Sequence, residues 1–210
     1  GVYSMDSGEI VLDGIDRPIH NRSPEDAQKN GISTVYQEVN LCPNISVAEN
    51  IYIGRHPRNR IGGIDWKEMN RKALAVLAGV GLEKIDVTRS RGEYSGAVQK
   101  MVAIARAIDI NCKVLFLDEP TSSLEEIEVA KLFEMRRELK ARGVGIMFVT
   151  HFLEQVYEVC DAITVLRNGE LVGRYAVSEL PRVQLVARML GHEFDDLAAI
   201  RVPDYDESSE

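Results

Sequence analysis

The sequence predicts an α/β protein with a parallel sheet at its core, and three observations lead to this prediction. Residues 114–117 form a short run of apolar side chains only, which is typical of a strand buried on both faces. A second apolar run follows at 145–149, and the segment between them, 125–142, has the apolar spacing of an amphipathic helix. A strand, a helix and another strand in this order indicate a parallel pair joined by a helical crossover.

Local start and stop signals predict the elements before this core. Residues 8–15 hold an Asp-Gly turn between apolar residues, which predicts a hairpin in a small antiparallel patch. Ser23 followed by Pro24 predicts a short helix that Gly31 ends, and a strand is expected over 32–36.

Two longer amphipathic helices are predicted in the middle of the chain. The first covers about 65–81, where Asp65 and Glu68 have the spacing of a capping box, and Ser95 is the expected N-cap of the second. The inward stripes are predicted to be Trp66, Met69, Ala73, Val76 and Val80 in the first helix, and Val98, Met101, Val102, Ala105 and Ile108 in the second.

The last third predicts a helix over 153–159, a closing hairpin with strands 162–166 and 171–173, and a final helix that ends near Gly191. The remainder, 196–210, is acidic and polar, so we expect a linker or a disordered tail there. The first residues lack an initiator Met, and we expect the chain to be truncated at this end.

Composition excludes some classes of function. The 210 residues, 45% hydrophobic and 28% charged, fit one globular unit, and the net charge of −8 argues against nucleic acid as a partner. Three cysteines without a C-x-x-C pair favour a reducing, cytosolic compartment. Since no apolar run approaches the ~18 residues that cross a bilayer, any membrane role must come through a partner.

Polar side chains follow both core strands. Asp118 and Glu119 end the first, where open α/β sheets place their ligands, and such a pair can hold Mg²⁺ through water and polarise an attacking water in phosphoryl transfer. His151 ends the second strand and can hydrogen-bond a γ-phosphate. From the residues alone, an acidic turn and a helix-capping His are equally good explanations.

Two weaker signals lie upstream. Gln37 ends the strand expected over 32–36, and its amide could contact both a metal and a water. Ser95 and Gly96 open a helix whose exposed N–H groups suit an anion, although an ordinary Ser-capped core helix fits them as well.

The order and spacing of these motifs are similar to those of the ABC ATPases, and the resemblance runs from Gly1 to about Gly191. In that family the motifs are the Q-loop, signature, Walker B, D-loop and switch histidine, matched here by Gln37, Ser95–Gly96, Asp118–Glu119, the segment 122–125 and His151. Residues 35–41, 43–51 and 54–55 resemble the bacterial sugar importers, and 148–157 resemble the ribose and galactofuranose type.

The resemblance implies a P-loop NTPase-like domain over 1–195, with a parallel-sheet core, a helical subdomain at about 46–110 and a small antiparallel patch. ATP and Mg²⁺ are the implied cofactors. Asp118 and Gln37 would serve the metal and Glu119 would be the general base. His151 would contact the γ-phosphate. Ser95, Gly96 and Glu125 would lie against nucleotide.

The sequence departs from the family pattern in several places. No G-x-x-x-x-G-K-[ST] phosphate loop is present, so the N-terminal part of the domain is expected to be missing and this chain to bind ATP weakly at best. In the signature, Tyr94, Ala97 and Val98 stand where Leu, Gly and Gln are usual, and Glu125 replaces a common Asp. We expect the site that this signature completes to be slower or nonhydrolytic.

For the whole protein the resemblance implies ATP hydrolysis that drives sugar import at the cytoplasmic face of a bacterial membrane. The partners would be transmembrane permease subunits, a second nucleotide-binding domain and, indirectly, a periplasmic sugar-binding protein. Residues 46–94 would receive the permease, and the chain would be the first of two tandem domains. The alternatives are a soluble ABC ATPase without a membrane partner, or a non-catalytic binding or assembly module.

Overall fold

The computed structural model describes residues 3, 5–15, 18–38, 40–110, 112–122 and 124–191. The chain divides into two compact units, Gly1–Thr150 and His151–Glu210. The predicted tail at 196–210 lies outside the described residues. Of the helices that the structure describes, none is long and apolar enough to cross a membrane.

The first unit contains the predicted parallel sheet. Its strands are β1 (Ile32–Val35), β2 (Val114–Asp118) and β3 (Gly145–Val149), in the spatial order β1-β2-β3. Val35 pairs with Leu117, and Asp118 pairs with Val149. The parallel core is therefore confirmed, and β1 ends one residue before the expected limit.

In the described part of the first unit, five α-helices accompany this sheet. They are α1 (Pro24–Lys29), α2 (Val47–Tyr52), α3 (Trp66–Ala78), α4 (Gly96–Asp109) and α5 (Glu126–Ala141). The predicted caps of α1 and α4 are confirmed: Ser23 accepts a hydrogen bond from the amide of Asp26 at 3.2 Å, and Ser95 accepts one from Val98 at 3.4 Å.

Helix α3 is shorter than the sequence predicts, and its capping box is only half formed. Asp65 accepts from the amide of Glu68 at 3.0 Å, but the Glu68 carboxylate pairs with Arg71, and the Asp65 amide donates to Pro57 instead. The prediction that Trp66 is buried is wrong, since it is 52% exposed at the first residue of the helix. The fully buried stripe begins one turn later and consists of Met69, Ala73 and Leu77.

The hairpin predicted over 8–15 is reduced to a single antiparallel bridge between Ile10 and Ile19. The expected turn is present, because Ile15 donates to the carbonyl of Leu12 at 3.1 Å around Asp13–Gly14. Around this bridge the described residues form no regular strand.

Helices cover one face of the sheet. Ser33 of β1 donates to the carbonyl of Ala107 in α4 at 3.2 Å, and Phe133 of α5 lies edge-on to Phe148 of β3 with ring centroids 6.4 Å apart. By register, Ser33 and Phe148 share a face with the buried Leu115 and Leu117 of β2.

The opposite face is open. On β3, Met147 is 51% and Val149 is 49% exposed. Thr34 of β1 is exposed on the same face, and Phe116 of β2, between it and Met147, is only partly buried. Parallel sheets are normally buried on both faces, so this half-covered sheet is unusual.

The second unit holds α6 (Leu153–Val159), the antiparallel strands β4 (Ala162–Arg167) and β5 (Glu170–Ala176), and α7 (Arg182–Leu190). All four were predicted. Ile163, Val165, Leu180 and Leu185 form its core. Gly191 ends α7 with a φ of 83°, a left-handed conformation that glycine adopts without strain.

Candidate functional site

The acidic pair lies at the carboxyl end of the central strand. Asp118 is the last residue of β2 and is partly buried. Because it pairs with Val149 and alternates with Leu117, it lies on the open face of the sheet. A carboxylate at this edge stands where α/β sheets bind ligands.

Glu119 leaves the strand in a strained backbone conformation. Its φ is 46°, in the left-handed region, which costs roughly 1–2 kcal/mol for a residue with a Cβ. Its amide donates to the carbonyl of Val149 at 2.9 Å, and its own carbonyl accepts from the amide of Ser122 at 3.2 Å and from its hydroxyl at 2.8 Å. Strain that the surroundings enforce in this way is typical of functional sites.

Gln37 lies at the same edge of the sheet. It follows Val35, the last residue of β1, by two positions, and Val35 stands opposite Leu117 of β2. The Gln37 side chain is exposed. The structure thus brings Gln37 and Asp118 to one edge, as the sequence predicts for strand ends of a parallel sheet.

Ser95 and Gly96 begin α4 and are both exposed. A Cβ added at Gly96 would meet no atom within 4 Å, so this helix start is open to an approaching group. Ala97 is only 6% exposed, and its methyl group therefore faces the interior rather than the open side. Val98 is partly buried.

Glu125 is the N-cap residue of α5, and its amide donates to the carboxylate of Glu128 at 2.9 Å. The Glu125 side chain is exposed at the end of the loop that begins after Glu119. Ser123, in the same loop, lies outside the described residues.

His151 opens the second compact unit, two positions after Val149. Its ring lies 4.0 Å from the ring of Phe152, with an angle of 37° between the planes. The convergence of His151 with Asp118, which the sequence suggests, remains a prediction.

Sequence reasoning missed Lys100. This lysine of α4 is only 4% exposed, and its Nζ donates to the carbonyl of Glu119 at 3.1 Å and to that of Ser122 at 3.2 Å. Burial lowers the pKa of Lys100, while the negative charge of Glu119 acts in the opposite direction. The available signal was helical spacing, because Ala97, Lys100 and Ile104 lie on one buried stripe.

The donor set at the sheet edge suits magnesium. Within the described parts of the chain, no group of three or more His, Cys, Asp and Glu side chains could hold a metal by itself. Asp118 and Gln37 offer one carboxylate and one amide oxygen. Mg²⁺ commonly binds through one or two carboxylates and takes its other ligands from water and substrate phosphates.

Comparison with protein families identifies the fold. The model of the ABC transporter family matches residues 1–122, more than half of the chain. The chain belongs to the ABC transporter family. The matched range includes Gln37, the Ser95 helix start and Asp118–Glu119, and their assignment to the family motifs stays a prediction.

Relatives within this family are ATP-binding proteins of sugar transporters. The chain is 51% identical over 201 residues to the galactofuranose transporter ATP-binding protein of Escherichia coli strain K12, covering 96% of this chain and 39% of that protein. It is 46% identical to the fructose import ATP-binding protein of Bifidobacterium longum, covering 95% and 38%. The chain thus spans about two fifths of the length of these relatives.

Solved ABC cassettes share the fold. The ADP conformation of the cassette MJ1267 aligns with a TM-score of 0.74 at 24% identity, covering 91% of this chain and 78% of that one. A nucleotide-free ATP-binding cassette aligns with a TM-score of 0.72 at 25% identity, covering 91% and 76%. The parallel-sheet core and the helices of this ABC protein are those of an ABC ATPase cassette.

Proposed function

We propose that this chain forms part of an ATP-hydrolysing subunit of a bacterial sugar importer. The observation that carries the proposal is the acidic pair, with Asp118 on the open face of the sheet and Glu119 held in a left-handed conformation directly after it. The relatives are ATP-binding proteins for galactofuranose transport and fructose import, which supports a sugar as the cargo.

Each predicted site residue has a distinct role in this proposal. Asp118 and Gln37 would hold Mg²⁺. When bound, the metal neutralises charge on the ATP phosphates. Glu119 accepts a proton from the attacking water as general base, and the hydrogen bonds of its backbone hold the residue in position. His151 donates a hydrogen bond to the γ-phosphate.

A second nucleotide-binding domain completes the arrangement. The exposed start of α4, at Ser95 and Gly96, has the helix N-terminal N–H groups and positive dipole that favour an anion. We assign it to the nucleotide held by the second domain, with Glu125 at the same interface.

Transport requires membrane partners. Permease subunits dock on the helical region of residues 46–94, which places the protein on the cytoplasmic face of the membrane. A periplasmic sugar-binding protein acts through these permeases.

The open sheet face supports a second part of the proposal, which concerns a phosphate-binding segment. Met147 and Val149 expose apolar surface beside Asp118, on the face that α4 and α5 do not cover. A glycine-rich loop followed by a helix would bury this surface and bring phosphates to the acidic pair. We propose that such a segment covers this face in the whole protein, and that the present chain binds ATP weakly without it.

Titration calorimetry with Mg-ATP tests this proposal. The 210-residue chain is compared with a version extended at its amino terminus by a phosphate-loop strand, loop and helix. We expect binding only by the extended version, in which Asp118→Asn should weaken the Mg²⁺-dependent part. Equal binding by both versions would show that the nucleotide site lies elsewhere.

A further inference from the structure

We propose that Lys100 is a positioning residue for Glu119, with its buried ammonium group tying the turn at 119–122 to helix α4. This inference rests on the proposed function, because it assigns Glu119 the role of general base. It adds a residue that lies outside the acidic pair and does not itself contact nucleotide.

The geometry of the ammonium group is specific. Lys100 Nζ donates to the Glu119 carbonyl at 3.1 Å, to the Ser122 carbonyl at 3.2 Å and to the Ser122 hydroxyl at 3.3 Å. An ammonium group has three protons, so these three acceptors match its donor capacity. All three belong to the turn that fixes the left-handed conformation of Glu119.

Burial of this charge is costly unless its hydrogen bonds are made. Lys100 is 4% exposed, and its Nζ donates to three uncharged oxygens, while the negative charge of Glu119 also acts on it. A methionine of similar length would fill the same space without the cost of removing a charge from water. The main effect of Lys100 is therefore to fix the conformation of the turn, and its contribution to the free energy of unfolding is smaller.

The turn itself does not need Lys100 in order to form. The Ser122 amide and hydroxyl already donate to the Glu119 carbonyl, at 3.2 and 2.8 Å. What Lys100 adds is a fixed link from this turn to α4, the helix that begins at Ser95 and Gly96. Since a misplacement of about 1 Å can slow a reaction by about 100-fold, loosening this link should affect the rate more than the fold.

The decisive measurement is ATPase kinetics of the extended protein with three single substitutions. Lys100→Met removes the donors and keeps the volume, Lys100→Gln keeps N–H donors without the charge, and Lys131→Met changes an exposed lysine of α5 as the control. We expect Lys100→Met to lower kcat about tenfold with KM for ATP within about twofold of the unmodified value. Lys100→Gln should recover at least about threefold over Lys100→Met, and the control should match the unmodified protein.

Three results would overturn the inference: a kcat for Lys100→Met within about twofold of the unmodified value, equal rates for the Met and Gln variants, or a parallel loss of ATP affinity. Inactivity of the unmodified extended protein would contradict the proposed function instead. Amide hydrogen exchange in the 210-residue chain then tests Lys100 alone. Lys100→Met should speed exchange of the Ser122 amide by about tenfold and leave Leu117 unchanged, and an unchanged Ser122 amide would refute the link.

Discussion

Asp118 stands opposite Val149 in the parallel pairing of β2 with β3, and both residues lie on the sheet face that α4 and α5 leave uncovered. A group that binds beside Asp118 therefore lies next to the exposed apolar side chains of Met147 and Val149. Phosphate ligands need hydrogen-bond donors, which the exposed side chains of Met147 and Val149 do not supply. Substitutions on this face therefore test whether another segment covers it.

Met147→Ser should reduce dye binding by the 210-residue chain and lower the stability of the extended version. In the 210-residue chain Met147 is 51% exposed, so the substitution removes exposed apolar surface and should reduce the binding of a hydrophobic dye. In the extended version the same residue becomes buried, and we expect the free energy of unfolding to fall by about 2–3 kcal/mol.

Met135→Ser is the matched control for this test. Met135 of α5 is 3% exposed on the covered side, so its substitution should destabilise both versions to a similar extent. A Met147→Ser variant with unchanged stability in the extended version would show that the phosphate-loop segment does not cover this face.

Glu119→Gln should separate ATP binding from hydrolysis. The amide has the same shape and lacks the negative charge that accepts a proton from water, so kcat of the extended protein should fall by about 100-fold or more. Calorimetry should show ATP affinity equal to or higher than that of the unmodified protein, because a negative charge near the phosphates is removed. Glu126→Gln, exposed at the start of α5, serves as the control. Hydrolysis by Glu119→Gln at the unmodified rate would exclude Glu119 as the base.

Local patterns were sufficient to predict much of the fold. The apolar run of β3 and the spacing of α6 gave bounds identical to those in the structure, since both elements end at clear polar or turn residues. The strand-end position of Asp118 followed from the same apolar pattern in β2. Parallel pairing then brought Gln37 to the same edge.

Features that depend on distant partners could not be predicted in this way. The sequence predicts that a lysine inside an amphipathic helix is exposed to solvent. The acceptors that allow Lys100 to be buried belong to the turn at 119–122, about 20 positions away. Trp66 fits the apolar stripe of α3 by spacing, yet it lies beyond the packed part of that helix. The left-handed φ of Glu119 could not be predicted from the residue type, because glycine is the residue expected in that conformation.

Asn50→Ala should strongly destabilise the first unit. Asn50 of α2 is completely buried, and its side chain accepts from the Cys42 amide at 2.8 Å and donates to the carbonyls of Cys42 at 2.9 Å and Ser46 at 3.1 Å. Its loss leaves buried backbone groups without this partner, so the free energy of unfolding should fall by about 3 kcal/mol.

Urea denaturation measures this change, with Asn44→Ala as the control. Asn44 is exposed in the loop before α2, and its substitution should cost less than about 0.5 kcal/mol. Equal effects of the two substitutions would mean that the hydrogen bonds of Asn50 do not hold the segment that follows Gln37.

Tyr52 should make stability depend on pH in the alkaline range. Burial, and then the negative charge of Asp109 with its hydrogen bond of 3.1 Å, raise the pKa of Tyr52 to about 12 from the value of 10.0 expected in the unfolded chain. The folded state therefore favours the neutral phenol. Its contribution to stability is complete below pH 10 and is lost as the pH rises from about 10 to about 12.

Tyr52→Phe isolates this contribution. Below pH 10 the substitution should lower the free energy of unfolding by about 1 kcal/mol, since the bond to Asp109 is lost and the carboxylate keeps its pair with Arg55 at 2.8 Å. Between pH 10 and 12 the difference between the two proteins should shrink and then reverse, because phenylalanine cannot ionise. Urea denaturation at several pH values measures the difference, with Tyr36→Phe as the control because Tyr36 is 44% exposed. A difference independent of pH would contradict the burial of a neutral Tyr52 at the end of α2, beside Asp109 at the end of α4.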